Sequence, residues 1–209
     1  PTQGDIMTTT AQTNTFEVFI QIIKKWITDL GVNAQLFNEL AGDEALPMWC
    51  RSLATGVLLY LDAPVDLIPE KFRFIGLIDD MLVMIVGLVI IVPQVPEDRL
   101  TYYQQKYEAA GQIGEYESNL KSTLGILWER LTRIVETLPK RTYKNKTTAE
   151  VAQSAELREE LIDETMVFVA NLGLDPEALD KETKLLPSPE KVMGLLSSGL
   201  EEAQKRDKK

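Results

Sequence analysis

Apolar residues along this chain recur mostly three and four positions apart, the period of a helix with one buried face. Phe16, Phe19, Ile20, Ile23, Ile27 and Leu30 make the first such face, with Asn14 and Glu17 as its cap, Gly31 as its stop, and Lys24 and Lys25 on the opposite side. Leu36, Phe37 and Leu40 predict a short helix capped by Asn33 and ended by Gly42. Asp43 opens the next, with Pro47 in its first turn, where no donor is lost. Beyond Pro93 and Pro96, Leu100, Tyr103 and Tyr107 start a seam that Ile113, Tyr116, Leu120, Leu124, Leu127, Leu131, Ile134 and Leu138 continue up to Pro139. Its heptad-like spacing suits antiparallel packing or a partner helix. Gly111 and Gly114 mark where it softens or breaks in two. Thr147 and Glu150 form a capping box for a helix running to Leu172 and Gly173. Asp175-Pro176 and Ser188-Pro189 open two more, the last turning Val192, Leu195, Leu196 and Leu200 inward. No strand alternation and no repeat period is present. The expected fold is an all-α helical bundle.

Nothing else in the chain is as apolar as Arg51 to Val92. Leu53 to Leu61 is apolar nearly all round, and Met81 to Val92 lacks any polar side chain. A helix apolar on every side belongs in a core or in lipid. Between the two runs, Asp62-Ala63-Pro64 stops the first helix, because the residue before proline is pushed out of the α region. Pro64 to Pro69 reads as a turn in which Asp66 folds its carboxylate onto backbone N–H groups. Gly76 closes the loop. A second helix starting near Leu77 puts Asp79 and Asp80 in its first turn, where the helix dipole favours negative charge. The runs and the loop predict a helical hairpin at the centre of the bundle.

Tyr60-Leu61, Pro64, Asp66-Leu67-Ile68-Pro69, Gly76 and Asp79-Asp80 keep gapless register with a signature of the form Tyr-Leu-x-x-Pro-x-Asp-Leu-Ile-Pro-Asp-x-x-Pro-x-x-Gly-x-x-Asp-Asp. Over residues 51–92 the chain thus resembles the YkvA-like family, small helical domains of bacteria classed as of unknown function. Glu70 stands where that family has Asp and keeps the charge, whereas Arg73 replaces its second loop proline and loosens the loop. The resemblance implies a helical hairpin, often read as membrane-embedding in relatives, and no known activity.

With 209 residues, 44% of them hydrophobic, the chain can bury a core as one domain or one domain with an appendage. The expected organisation is a disordered segment 1–13, a domain 14–96 holding the hairpin, C-terminal helices 97–204 packing on it, and a disordered basic tail 205–209. The net charge of −10 argues against nucleic-acid binding and weakens attraction to anionic lipid. Histidine is absent, which removes imidazole bases and ligands. Cys50, the single cysteine, excludes an internal disulfide and reads as a small buried hydrophobe. There is no Gly-rich phosphate loop. Lys140 to Lys146 is a short basic stretch with one aromatic, read as a solvated linker.

Asp62, Asp66, Glu70, Asp79 and Asp80 can converge at one mouth of the hairpin, and such oxygen ligands suit Mg²⁺, Mn²⁺ or Ca²⁺. The spacing is not that of an EF-hand, since a loop starting at Asp66 puts Leu77 where the bidentate acid belongs. The simpler reading is structural: Asp66 holds the turn, while Asp79 and Asp80 satisfy N–H groups at a helix start or accept from Lys71 or Arg73. No catalytic residue, metal ligand or cofactor is assigned, and Tyr60, Pro64, Asp66, Leu67, Ile68, Pro69, Gly76, Asp79 and Asp80 stand as motif residues. The chain reads as a non-enzymatic helical interaction or scaffold protein, with a protein partner or a second copy meeting its C-terminal helices. The alternatives are a membrane-associated hairpin, and a hard-cation site or acid-assisted hydrolase at Asp66, Asp79 and Asp80.

No basic region followed by an apolar run heads the chain, which implies the cytoplasm or the cytoplasmic face of a membrane. A spanning helix needs about 20 mostly apolar residues, and each Asp at mid-membrane costs about 2.5–3.5 kcal/mol. Neither apolar run therefore spans comfortably alone. A hairpin dipping into one leaflet and a hairpin at the centre of a soluble bundle both fit. The amphipathic helices on either side can cover it, which favours the bundle.

Overall fold

The computed structural model describes residues 3–61, 73–173 and 175–206. α1 (Gln3–Thr28) and α2 (Leu30–Gly42) are joined through the single residue Asp29. α1 starts upstream of Asn14, so the Asn14–Glu17 pair lies within a helix and does not cap one. Gly31 is no stop either, and Asn33 is no cap: both lie inside α2, and Asn33 is buried. A Cβ at Gly31 would stand 3.3 Å from Met166 Cε, so this glycine serves a close approach between helices.

α3 (Met48–Leu61) and α4 (Arg73–Ile91) form the central hairpin that the apolar pattern predicts. α4 begins upstream of Leu77, because Arg73, Phe74 and Ile75 are all tolerable helix residues and Gly76 is carried inside the helix rather than ending the loop. The expected first-turn position of Asp79 and Asp80 is thereby corrected: they sit a full turn or more inside α4, beyond the reach of its exposed N–H groups.

A one-turn 3-10 helix, Val92–Gln94, leads to α5 (Glu97–Lys106), α6 (Glu108–Leu124) and α7 (Ile126–Val135). The breaks fall at Tyr107 and Gly125, not at Gly111 or Gly114, which both stay inside α6. Tyr107 is extended with its side chain buried, and Gly125 has φ 52° and ψ −123°, a backbone that L side chains rarely adopt. A second 3-10 turn, Leu138–Lys140, precedes strands β1 (Thr142–Tyr143) and β2 (Lys146–Thr147). The basic stretch is therefore a tight antiparallel hairpin, with Lys144 and Asn145 both at positive φ. Strands of two residues are too short to show alternation in a sequence.

The capping box of Thr147 and Glu150 opens α8 (Thr148–Gln153) as expected. The helix is then interrupted at Ser154, whose hydroxyl accepts from the Leu157 amide and starts α9 (Ala155–Leu172). Gly173, left-handed, ends α9; α10 (Pro176–Lys184) is capped by Asp175, and α11 (Pro189–Arg206) packs on α7.

The hairpin sits at the centre of this all-α bundle. α3 is covered by α2, α8, α9 and the second 3-10 turn, while α4 is ringed by α1, α3, α6, α7 and α10. Met81, Val83, Met84, Ile85, Val86, Leu88 and Ile91 are all at 0% exposure, so every side of α4 has a neighbour. Two glycines permit this. A Cβ at Gly56 would lie 2.6 Å from the Leu138 carbonyl oxygen, and one at Gly87 would lie 2.8 Å from Val57 Cγ2. The seam of α6 and α7 is spent inside the chain: Ile113, Tyr116, Leu120, Leu124, Leu131 and Ile134 are buried, with α6 against α1 and α4 and α7 against α4 and α11.

Candidate functional site

Tyr60 is in the last turn of α3 and Asp79 in the second turn of α4, and both are buried. The Tyr60 hydroxyl donates to Asp79 Oδ2 at 2.8 Å. Asp80 lies beside it at 4% exposure. Both carboxylates are thus shut off from solvent inside the closed end of the hairpin. Arg141, which follows the second 3-10 turn, reaches this end from the C-terminal half. Its guanidinium lies 4.9 Å from the Tyr60 ring centroid, and Nη1 donates to the Leu59 carbonyl at 3.2 Å. The last carbonyls of a helix lack intrahelical donors, and Arg141 supplies one.

Of the motif residues, Tyr60 and Asp79 come together here with Asp80 next in the chain, and Gly76 lies in α4 about one turn before Asp79. Pro64, Asp66, Leu67, Ile68 and Pro69 lie outside the described residues, as do Asp62, Glu70 and Lys71. The described residues contain no group of three or more Cys, Asp or Glu side chains placed to hold a metal ion.

A second polar centre occupies the opposite, open end of the hairpin. Asp43, in the turn before α3, accepts from Arg99 Nε at 2.8 Å, from the Tyr103 hydroxyl at 2.8 Å and from the Ala45 amide at 3.0 Å. Burial pushes its carboxyl up, but the Tyr103, Arg99 and Ala45 donors together outweigh burial and hold it below the usual carboxylate range. Tyr103 is raised in turn, first by burial and then by Asp43. Arg99 also lies over the rings of Tyr102 and Tyr103, at 5.3 and 5.6 Å.

Arg51, buried in the first turn of α3, closes a third centre. Its Nε donates to the Ala41 carbonyl at 2.9 Å and its Nη2 to the Ala152 carbonyl at 2.7 Å. It thereby gathers the C-terminal ends of α2 and α8, where the helix dipole is negative. Arg158 donates to the same Ala152 carbonyl at 2.6 Å. Cys50, next to Arg51, is fully buried, and burial pushes its thiol up to about 11, which makes it a poor nucleophile.

Sequence reasoning missed Asp43 as a hub, and it missed Arg51 and Arg141. Arg51 carried a signal: an arginine at the head of an all-round apolar helix needs acceptors in the core. Asp43 showed only as a helix opener, and nothing local marks Arg141.

Residues 50–86 match the family model described as a protein of unknown function, DUF1232. The matched segment holds nearly all of α3, the stretch to residue 72 and nearly the first four turns of α4, and so includes Tyr60, Asp79 and Asp80. It leaves out Asp43, Arg99, Tyr103 and Arg141. No curated protein and no solved structure matches the chain.

Proposed function

We propose that this protein is a non-catalytic helical scaffold that works in the cytoplasm as a water-soluble bundle and binds other proteins through its outer helices. The observation that carries this reading is the cover of α4. Gly76–Gln94 is long and apolar enough to cross a membrane, yet 78% of its most apolar window is buried by the chain's own helices. A helix whose sides are mostly filled gains little further from lipid tails. Asp79 fits the same reading, since its carboxylate is paired across the hairpin with Tyr60. The two lysines on the polar side of α1, the kind of residue that meets anionic lipid on a surface helix, are each engaged: Lys24 with Asp180, and Lys25 with Asp29 and Glu108. The net charge of −10 supports protein partners over nucleic acid.

The test is detergent-free fractionation of cells expressing the intact protein, followed by light scattering. A monodisperse species in the high-salt supernatant is expected. Retention on membranes after a carbonate wash would overturn the bundle and favour the second reading, a membrane-associated hairpin, which rests on the length and apolarity of Gly76–Gln94.

A further inference from the structure

Helices α1 and α6 run antiparallel, with Lys25 against Glu108 at one end and the Thr123 hydroxyl donating to the Thr15 carbonyl at the other. Between them lies an open cleft of about 450 Å³. Its floor is apolar: Val18, still 37% exposed, with the inner edges of Ile22 and Tyr116. Its rim carries Glu17 and Glu115, both exposed. The cation among its lining residues, Lys25, is already claimed by Asp29 at 3.0 Å and Glu108 at 2.9 Å, so it does not offset the rim. The carboxylates hold the Lys25 ammonium well above its ordinary range, Glu108 contributing most. An apolar floor between unneutralised acids complements an apolar side chain flanked by cations.

We propose that the α1–α6 cleft is a docking site for an amphipathic helix of a partner protein, one whose apolar face is bordered by lysine or arginine. Helix-in-groove binding of this kind places apolar anchors in the floor, and the flanking charges set orientation and partner choice. The cleft is large enough for one or two anchoring side chains. The inference rests on the scaffold reading and gives it a surface and a partner class. Most of the C-terminal seam packs in the chain's own core, and it contributes Tyr116 to this surface.

The test uses the full chain and a fluorescent helical peptide with a leucine face bordered by lysines, beside the same peptide with glutamate for lysine. The lysine peptide binds, and the glutamate peptide does not. The double variant Glu17→Lys, Glu115→Lys weakens binding at least tenfold, about 1.4 kcal/mol. Glu159→Lys with Asp163→Lys makes the same change of net charge on the exposed face of α9 and leaves affinity unchanged. Peptide-induced NMR shifts centre on Val18, Ile22 and Tyr116. Equal losses in both double variants, shifts spread over the acidic surface, or no binding of the lysine peptide would each overturn the site. Fractionation separates the two ideas: a soluble monodisperse protein that ignores the peptide sinks the cleft and spares the scaffold, whereas a carbonate-resistant membrane protein sinks the scaffold itself.

Discussion

Asp43, at the open end of the α3–α4 hairpin, sits in a turn, whereas Asp79, near the closed end, sits inside a helix. The turn acid has local backbone to use, and it takes the Ala45 amide two residues on. It also draws Arg99 and Tyr103 from α5, tying the start of the hairpin to the chain that follows it. The helix acid finds its neighbouring N–H groups committed to the i→i−4 ladder, so it reaches across the hairpin to Tyr60. The first acid is a cross-link between distant segments. The second locks α3 to α4 within the matched family segment. A motif shared among short domains can preserve the second kind, since both partners lie inside it; the first kind depends on residues outside it.

The largest expected effect is at the open end. Asp43→Ala leaves the Tyr103 hydroxyl, the Ala45 amide and Arg99 without their acceptor. An abandoned buried donor costs about 1–3 kcal/mol, and Arg99, with 39% of its side chain exposed, adds little because water rescues it. A loss of about 2–4 kcal/mol is expected in urea denaturation, without a change of slope. A loss smaller than that of Asp79→Asn would reverse the ranking of the two ends. The same carboxyl shapes the acid limb of stability. Its folded pKa is depressed, so its contribution is complete above the ordinary value of 3.8 and is lost as pH falls through the lower folded value. Asp43→Asn flattens the stability–pH curve in that window; an unchanged curve would take Asp43 out of the acid response.

A smaller effect is expected at the closed end. Tyr60→Phe removes one hydrogen bond and keeps the ring, for a loss of about 0.5–1.5 kcal/mol. A double-mutant cycle of Tyr60→Phe with Asp79→Asn isolates the bond. Coupling within that range is expected, and zero coupling would show that the Tyr60–Asp79 bond does not hold the closed end.

The hairpin was legible because an all-round apolar pattern has few homes, and the bundle because its outer helices show clear three-four spacing. The start of α4 was misread because Gly76 looks like a loop residue locally. Tertiary burial carries it inside a helix instead. The break at Tyr107 was invisible because no local stop residue marks it, whereas Ser154 carried a local signal that was passed over, its hydroxyl accepting from the Leu157 amide. Gly125 was overlooked in favour of Gly111 and Gly114 before it, although its positive φ makes it the real breaker. At the site, Asp79 and Asp80 stood out through spacing and apolar surroundings. Asp43, Arg99 and Arg141 did not, because each finds its partner tens of residues away, and no local pattern records that.

The smallest expected effect asks whether the closed end, too, depends on the C-terminal half. Arg141 stacks over Tyr60 and bonds the Leu59 carbonyl. Arg141→Lys keeps the charge but loses the planar stack and the fixed fork. Partly exposed cation–π contacts contribute about 0.5–1 kcal/mol, so a loss near the lower end is expected. The Tyr60→Phe background keeps a ring and keeps this loss. The Tyr60→Leu background removes the ring, and there Arg141→Lys costs less. If the cost is the same in all three backgrounds, Arg141 acts through the Leu59 carbonyl and not through the ring. If Arg141→Lys costs nothing anywhere, Arg141 is no cross-link for the closed end, and the contrast with the cross-linked open end sharpens.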